Sequence, residues 1–140
     1  MSGYAGDLTP TQAWELLAQD ERAVLVDVRT EAEWRYVGVP DLGALGRSVT
    51  LVEWVTYPGG AANPDFFAQL SAAGLVAGDS RPVVFLCRSG VRSVAAAHAA
   101  TAAGLGPAYN LLGGFEGDLD AARHRGGSGW RASGLPWTQS

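Results

Sequence analysis

A single cysteine among 140 residues has no partner for an intramolecular disulfide, so the fold must come from packing and the thiol is free. A free thiol suits a reducing compartment, and the expected location is cytoplasmic. Long apolar runs are also missing. No stretch approaches the ~20 apolar residues needed to span a bilayer, and Met1 to Asp7 has no basic run ahead of an apolar core, so neither a membrane span nor a secretory leader is expected. Positive charge is in deficit: the net charge is −4 at pH 7. That argues against nonspecific nucleic-acid binding, which takes a basic surface, and leaves small anions open, because they respond to the local field. Apolar residues are plentiful, 47% against 17% charged, which is globular rather than disordered composition. The length suits one domain over residues 1–140.

Local patterns give α/β order. Thr9 is a candidate N-cap with Pro10 at the first helical position, and Ala13, Trp14, Leu16 and Leu17 put an apolar stripe on a helix running to Gln19. Ala23 to Val28 is a valine-rich run that suits a strand buried on both faces. Thr30 and Glu33 have capping-box spacing at the start of a short helix, Glu31 to Tyr36. From Val37 to Asn63 glycines and prolines surround one apolar piece, Ser48 to Val55, a candidate edge strand. Asn63 is a candidate cap for a helix from Pro64 to Ala73, with Phe66, Phe67 and Leu70 inward and Gly74 as its end. Pro82 to Leu86 is the clearest strand. Ser93 to Ala103 is alanine-rich and helical by propensity, Gly104 stops it, and Ala108 to Leu112 makes a last strand. Residues 118–140 form a glycine-rich extension, expected to pack on the domain through Trp130, Leu135, Pro136 and Trp137.

The strand at 82–86 delivers Cys87 to its carboxyl end, where ligands bind in open α/β sheets. A tight strand-to-helix loop turns successive N–H groups inward, and the following helix adds its positive dipole end, so the cavity favours an anion. Arg88 and Arg92 add formal charge. A free thiol is only about 3% thiolate at pH 7, and such a field raises that share, making Cys87 a nucleophile. Gly90 suits a loop that needs positive φ or close backbone approach. Ser93, at the helix entry, either caps the helix or hydrogen-bonds the sulfur.

Four segments in this order, VLVDVR (24–29) with EAEW (31–34), FLCRSGVRS (85–93), YNLLGGF (109–115) and GWRASGLPW (129–137), together resemble the rhodanese-like family over most of the chain. The resemblance implies a central parallel five-stranded sheet with helices on both faces. It also implies a sulfurtransferase in which Cys87 carries sulfane sulfur as a persulfide and Arg88, Ser89, Gly90, Val91 and Arg92 cradle the anion. Where the family often has Gly-His-Ile-Pro-Gly-Ala, this chain has Gly38-Val39-Pro40-Asp41-Leu42. The missing histidine is not required for direct attack at sulfur. No metal or organic cofactor is expected. The expected partners are a small anionic sulfur donor and an external thiol or protein-cysteine acceptor, since no second cysteine exists to resolve the persulfide. Less basic loops accompany mercaptopyruvate specificity, so Arg88 and Arg92 favour thiosulfate.

Bland readings stand beside these. Asp27 pairs with Arg29 or caps the next helix, or else supports the site. His98 packs on the helix surface, and His124 with Arg123 and Arg125 is a solvated cluster. Trp54, Trp130 and Trp137 serve burial. Two rival functions remain: a noncatalytic interaction module, and a phosphatase or arsenate reductase. The loops of those enzymes typically place one residue more between cysteine and arginine than the Arg88 to Val91 gap here.

Overall fold

The computed structural model describes residues 3–56 and 59–139. Its elements run β1 (Gly6–Leu8), α1 (Pro10–Gln19), β2 (Val24–Asp27), α2 (Glu31–Tyr36), β3 (Val39–Pro40), β4 (Thr50–Leu51), α3 (Phe66–Ala72), β5 (Val83–Leu86), α4 (Val91–Ala102), β6 (Ala108–Leu111), α5 (Gly129–Ala132) and β7 (Trp137–Thr138). Five strands form one sheet in the order β1-β6-β5-β2-β4, and every pairing within it is parallel. The wholly apolar and wholly buried strand β5 lies at its centre, between β6 and β2, as burial on both faces requires. Among the described residues no helix is long and apolar enough to cross a membrane.

The period-2 alternation of strands divides the interior into two layers. Val26, Val28, Val83, Phe85 and Cys87 face α3 and α4, where Phe66, Leu70, Ala96, Ala97 and Ala100 complete one core. Leu25, Val84, Leu86 and Leu111 face the other way, onto Ala13 and Leu17 of α1 and onto Phe115 and Trp130. Alanines on α4 bring that helix close to β5 and β6. Cys87 therefore belongs to the α3/α4 layer, with its sulfur at the end of the helix that follows it.

Local chemistry explains most boundaries. Thr9 and Thr30 each form the reciprocal capping box at the starts of α1 and α2, satisfying amides that have no intrahelical partner. Several expectations need correction. Asn63 does not cap α3: its side-chain oxygen accepts from the Asp65 amide, an Asx turn that delays the helix to Phe66. Phe67 is 42% exposed, whereas Phe66 and Leu70 are buried, because a seven-residue helix turns only a narrow stripe inward. The apolar piece 48–55 is strand only at Thr50–Leu51, with a bridge from Val55 to Ala62. Ser93 does not cap α4, which starts two residues earlier behind Gly90.

The segment in place of the family's histidine loop is strand β3, paired antiparallel with β7 from the far end of the chain. Gly38 has φ +118, and a Cβ there would meet the Thr138 carbonyl at 2.6 Å, so only glycine permits this closure. The Trp130 ring is fully buried and its indole N–H donates to the Pro136 carbonyl at 2.6 Å. Trp137 lies edge-on to Phe115 at 5.9 Å and is 40% exposed.

Candidate active site

The loop after β5 is fastened from behind by the turn after β6. The amide of Phe115 donates to the Cys87 carbonyl at 2.8 Å, and those of Glu116 and Gly117 donate to the Arg88 carbonyl at 3.0 and 3.2 Å. Gly114 sits against this junction with φ +60, and a Cβ there would lie 2.4 Å from the Cys87 carbonyl oxygen. Gly114 is thus the mould of the loop, while Gly113 lies against Gly129. On the loop's inner side the Gly90 amide donates to Cys87 Sγ at 3.1 Å. Gly90 has φ +122, a conformation that side-chained residues avoid.

Cys87 is free and 1% exposed. Ser93, one turn into α4 and fully buried, places its hydroxyl 3.3 Å from the sulfur. The same hydroxyl donates to Asn110 Oδ1 at 2.5 Å. Ser93 is therefore the sulfur's neighbour rather than a helix cap. Ser89 and Gly90 are half-buried, Arg88 is exposed, and Val91 is 80% exposed at the outer tip of the loop.

Arg92 is not a free cation. Its guanidinium makes a two-pronged contact with Glu33 of α2, at 2.7 and 3.0 Å, the planar fork matching the carboxylate. Glu33 is held in turn by the amide and hydroxyl of Thr30, each at 3.1 Å, so the capping box of α2 also positions the arginine of the loop. Burial pushes the Glu33 carboxyl up, but the bonds from Arg92 and Thr30, with the charges of Arg92 and Arg29, prevail and hold it at about 2. Arg92 is raised above its ordinary value, chiefly by the Glu33 bond and against burial, with Cys87 and Asp27 contributing attraction.

A carboxyl lowered by folding contributes stability that is complete above its unfolded value and lost as pH falls through its folded value. The window here runs from 4.5 down to about 2. Unfolding free energies of the wild type and Glu33→Gln, measured by denaturant titration at stepped pH, should differ by a constant amount above that window and converge through it. A gap that persists unchanged to its lower end would contradict the pairing.

Asp27 and Arg29 form a second ion pair, at 2.7 Å, with both side chains fully buried. Asp27 thus pairs with Arg29 beneath the site. Arg29 also donates to the Gly38 carbonyl at 2.6 Å and lies over the Phe115 ring at 4.2 Å. His98 is exposed on α4, edge-on to Tyr4 at 4.8 Å. His124 is exposed, so neither histidine joins the sulfur.

A cleft of about 530 Å³ opens beside the loop, with Arg88, Arg92, Glu33 and Glu116 as its charged lining and Val37 and Val55 among its apolar lining. Glu33, Asn110 and Gly114 are the site-forming residues that sequence reasoning passed over. In the sequence Glu33 is visible only as a capping residue, Asn110 only as a strand residue and Gly114 only as part of the YNLLGGF segment. The arrangement places a buried sulfur behind a loop whose Arg88 and Arg92 line a cleft with compensated charge.

A family model for the Rhodanese-like domain matches residues 9–121. An uncharacterized protein of Rickettsia conorii is 34% identical over 132 residues, covering 94% of this chain and 95% of that one. The crystal structure of Rv0390 from M. tuberculosis superposes with a TM-score of 0.89 at 61% identity, covering 99% of this chain and 100% of that chain. Two more distant structures share the fold at 24% identity. A polysulfide-sulfur transferase from Wolinella succinogenes has a TM-score of 0.62 and covers 96% of this chain and 78% of its own. A protein of unknown function from Rhodopseudomonas palustris, described as a possible tyrosine phosphatase, has a TM-score of 0.58 and covers 95% and 84%. With the parallel sheet, the Cys87 loop and the matched residues 9–121 in agreement, the chain belongs to the rhodanese-like domain family.

Proposed function

We propose that the chain is a sulfurtransferase that moves a sulfane sulfur from thiosulfate, or a similar anionic donor, to an external thiol or to cyanide through a persulfide on Cys87. The observation that carries this reading is the address of the sulfur: at the carboxyl end of β5, contacted by the Gly90 amide at 3.1 Å, with Arg92 of the same loop close enough to attract it. Cys87 attacks the outer sulfur of the donor as its thiolate. A new sulfur–sulfur bond forms, the old one breaks, and sulfite leaves with the bonding electron pair. The persulfide anion then stays in the positive environment of loop and helix end. An acceptor thiolate takes the outer sulfur and returns the electron pair to Cys87.

The gap from Arg88 to Val91 also bears on the choice between sulfur and phosphate, since a shorter loop encloses a smaller anion than a tetrahedral phosphoryl group. Glu33 reinforces this by occupying both prongs of Arg92, leaving Arg88 as the less committed cation of the loop. Residues 1–140 are read as one domain, with 118–140 as its packed extension and the cytoplasm as its compartment.

Steady-state sulfite release with thiosulfate and a thiol acceptor tests the reading. Parallel double-reciprocal lines are expected, the pattern of a covalent intermediate visited between two half-reactions, with no phosphate release from an aryl phosphate. Phosphate turnover as fast as sulfur transfer would replace this reading with the phosphatase one. Absence of both activities in a folded protein would favour an interaction module.

A further inference from the structure

Behind the sulfur a line of hydrogen bonds crosses three elements and reaches the surface. Cys87 Sγ lies 3.3 Å from the Ser93 hydroxyl, Ser93 donates to Asn110 Oδ1 at 2.5 Å, and Asn110 Nδ2 donates to Asp7 Oδ1 at 3.0 Å. Tyr4 donates to the same Asp7 oxygen at 2.8 Å. Ser93 and Asn110 are buried, while Asp7, on the edge strand β1, is exposed.

The donor inventory gives this line a direction. An ionised carboxylate only accepts, so Asp7 must face the amide nitrogen of Asn110. The amide oxygen then faces Ser93 and only accepts. A serine hydroxyl carries one proton, which the short contact commits to Asn110. What Ser93 offers the sulfur is a lone pair, which welcomes S–H and repels S⁻. The Gly90 amide and the Arg92 charge act in the opposite sense.

We propose that Asn110, oriented by Asp7, is a positioning residue that commits the Ser93 proton away from Cys87 and so withholds one hydrogen bond from the sulfur anion. The proposal rests on Cys87 being the reactive sulfur, and its test does not require sulfur transfer. Of the charged groups, Arg92 from α4 attracts the sulfur's charge and carries Glu33 of α2 on its guanidinium, and Asp27 of β2 acts on Arg92. Those around Asp7 are Tyr4, with His98 edge-on to that ring. When the anion forms, the Ser93 proton is needed at sulfur, and Asn110 must yield it.

Alkylation of Cys87 by iodoacetamide, followed by intact mass over a range of pH, reads this out. Asn110→Leu frees the Ser93 proton for the sulfur. The rate at neutral pH should rise about tenfold, the change that one unit of displaced titration gives, and the alkaline limb of the profile should move to lower pH. Ser93→Ala with Asn110→Leu should alkylate like Ser93→Ala alone, because the gain passes through that hydroxyl. Asp7→Ala, at an exposed position that does not threaten folding, should shift the profile in the same direction by less, since Asn110 is then free to turn its amide. Unchanged rates in folded Asn110→Leu, or in Asp7→Ala should Asn110→Leu not fold, would overturn the proposal. So would a gain that survives without Ser93.

Discussion

Replacing Asp27 by alanine should destabilise the protein by about 3–5 kcal/mol, the cost of leaving a buried charge without its partner. Both side chains of the Asp27–Arg29 pair are fully buried. Asp27 receives the backbone amide of Arg29 at 3.1 Å and its Nε at 3.0 Å on one oxygen, and Nη2 at 2.7 Å on the other. With the carboxylate gone, the guanidinium keeps the Gly38 carbonyl and the Phe115 face as its direct contacts among the described residues. Its Nη1 has no hydrogen-bond partner among the described residues even in the intact pair. Urea unfolding of Asp27→Ala beside the wild type measures the loss, and a change below about 1 kcal/mol would show that the pair is dispensable. A double variant, Asp27→Leu with Arg29→Leu, should recover part of the loss, because it removes both charges together.

Cys87→Ser should abolish sulfur transfer and leave the fold nearly unchanged. Serine is close to cysteine in size, and a hydroxyl at this position keeps the Gly90 amide and Ser93 as hydrogen-bond partners. Among the described residues no base is hydrogen-bonded to this position: its partners are the Gly90 amide and the Ser93 hydroxyl, and Asp27 is committed to Arg29. A serine oxygen also forms no persulfide. Sulfite release from thiosulfate should therefore fall to the uncatalysed rate while the unfolding midpoint stays near that of the wild type. Residual turnover well above background in Cys87→Ser would move the chemistry elsewhere.

The parts of the fold legible in the sequence were those whose signal is local. Thr9 announces its helix as an N-cap ahead of Pro10, and Thr30 by its capping-box spacing to Glu33, signals written within four residues. β5 and α4 were legible because an apolar run and an alanine-rich stretch each satisfy one periodicity, and these two elements place Cys87. β1 was not: it has three residues, one of them glycine, and becomes a strand only because β6 offers it a parallel edge. β3 and β7 have two residues each and define each other across the length of the chain.

The site divides in the same way. Cys87, Gly90 and Ser93 lie within one loop and one helical turn, so their association follows from the sequence alone. From the loop sequence Arg92 is a cation for the substrate, yet Glu33, 59 positions away, occupies its guanidinium. That pairing tempers the inference from a basic loop to a dianionic donor. The Asn110 link to Ser93 spans 17 positions and becomes visible only when β6 lies beside β5.

Incubating the intact protein with thiosulfate and weighing it tests the persulfide directly. The expected result is a gain of one sulfur atom that is removed by a thiol reductant and absent from Cys87→Ser. An unchanged mass after thiosulfate, inorganic polysulfide and an organic persulfide, in protein whose Cys87 still alkylates, would contradict sulfur transfer by this chain.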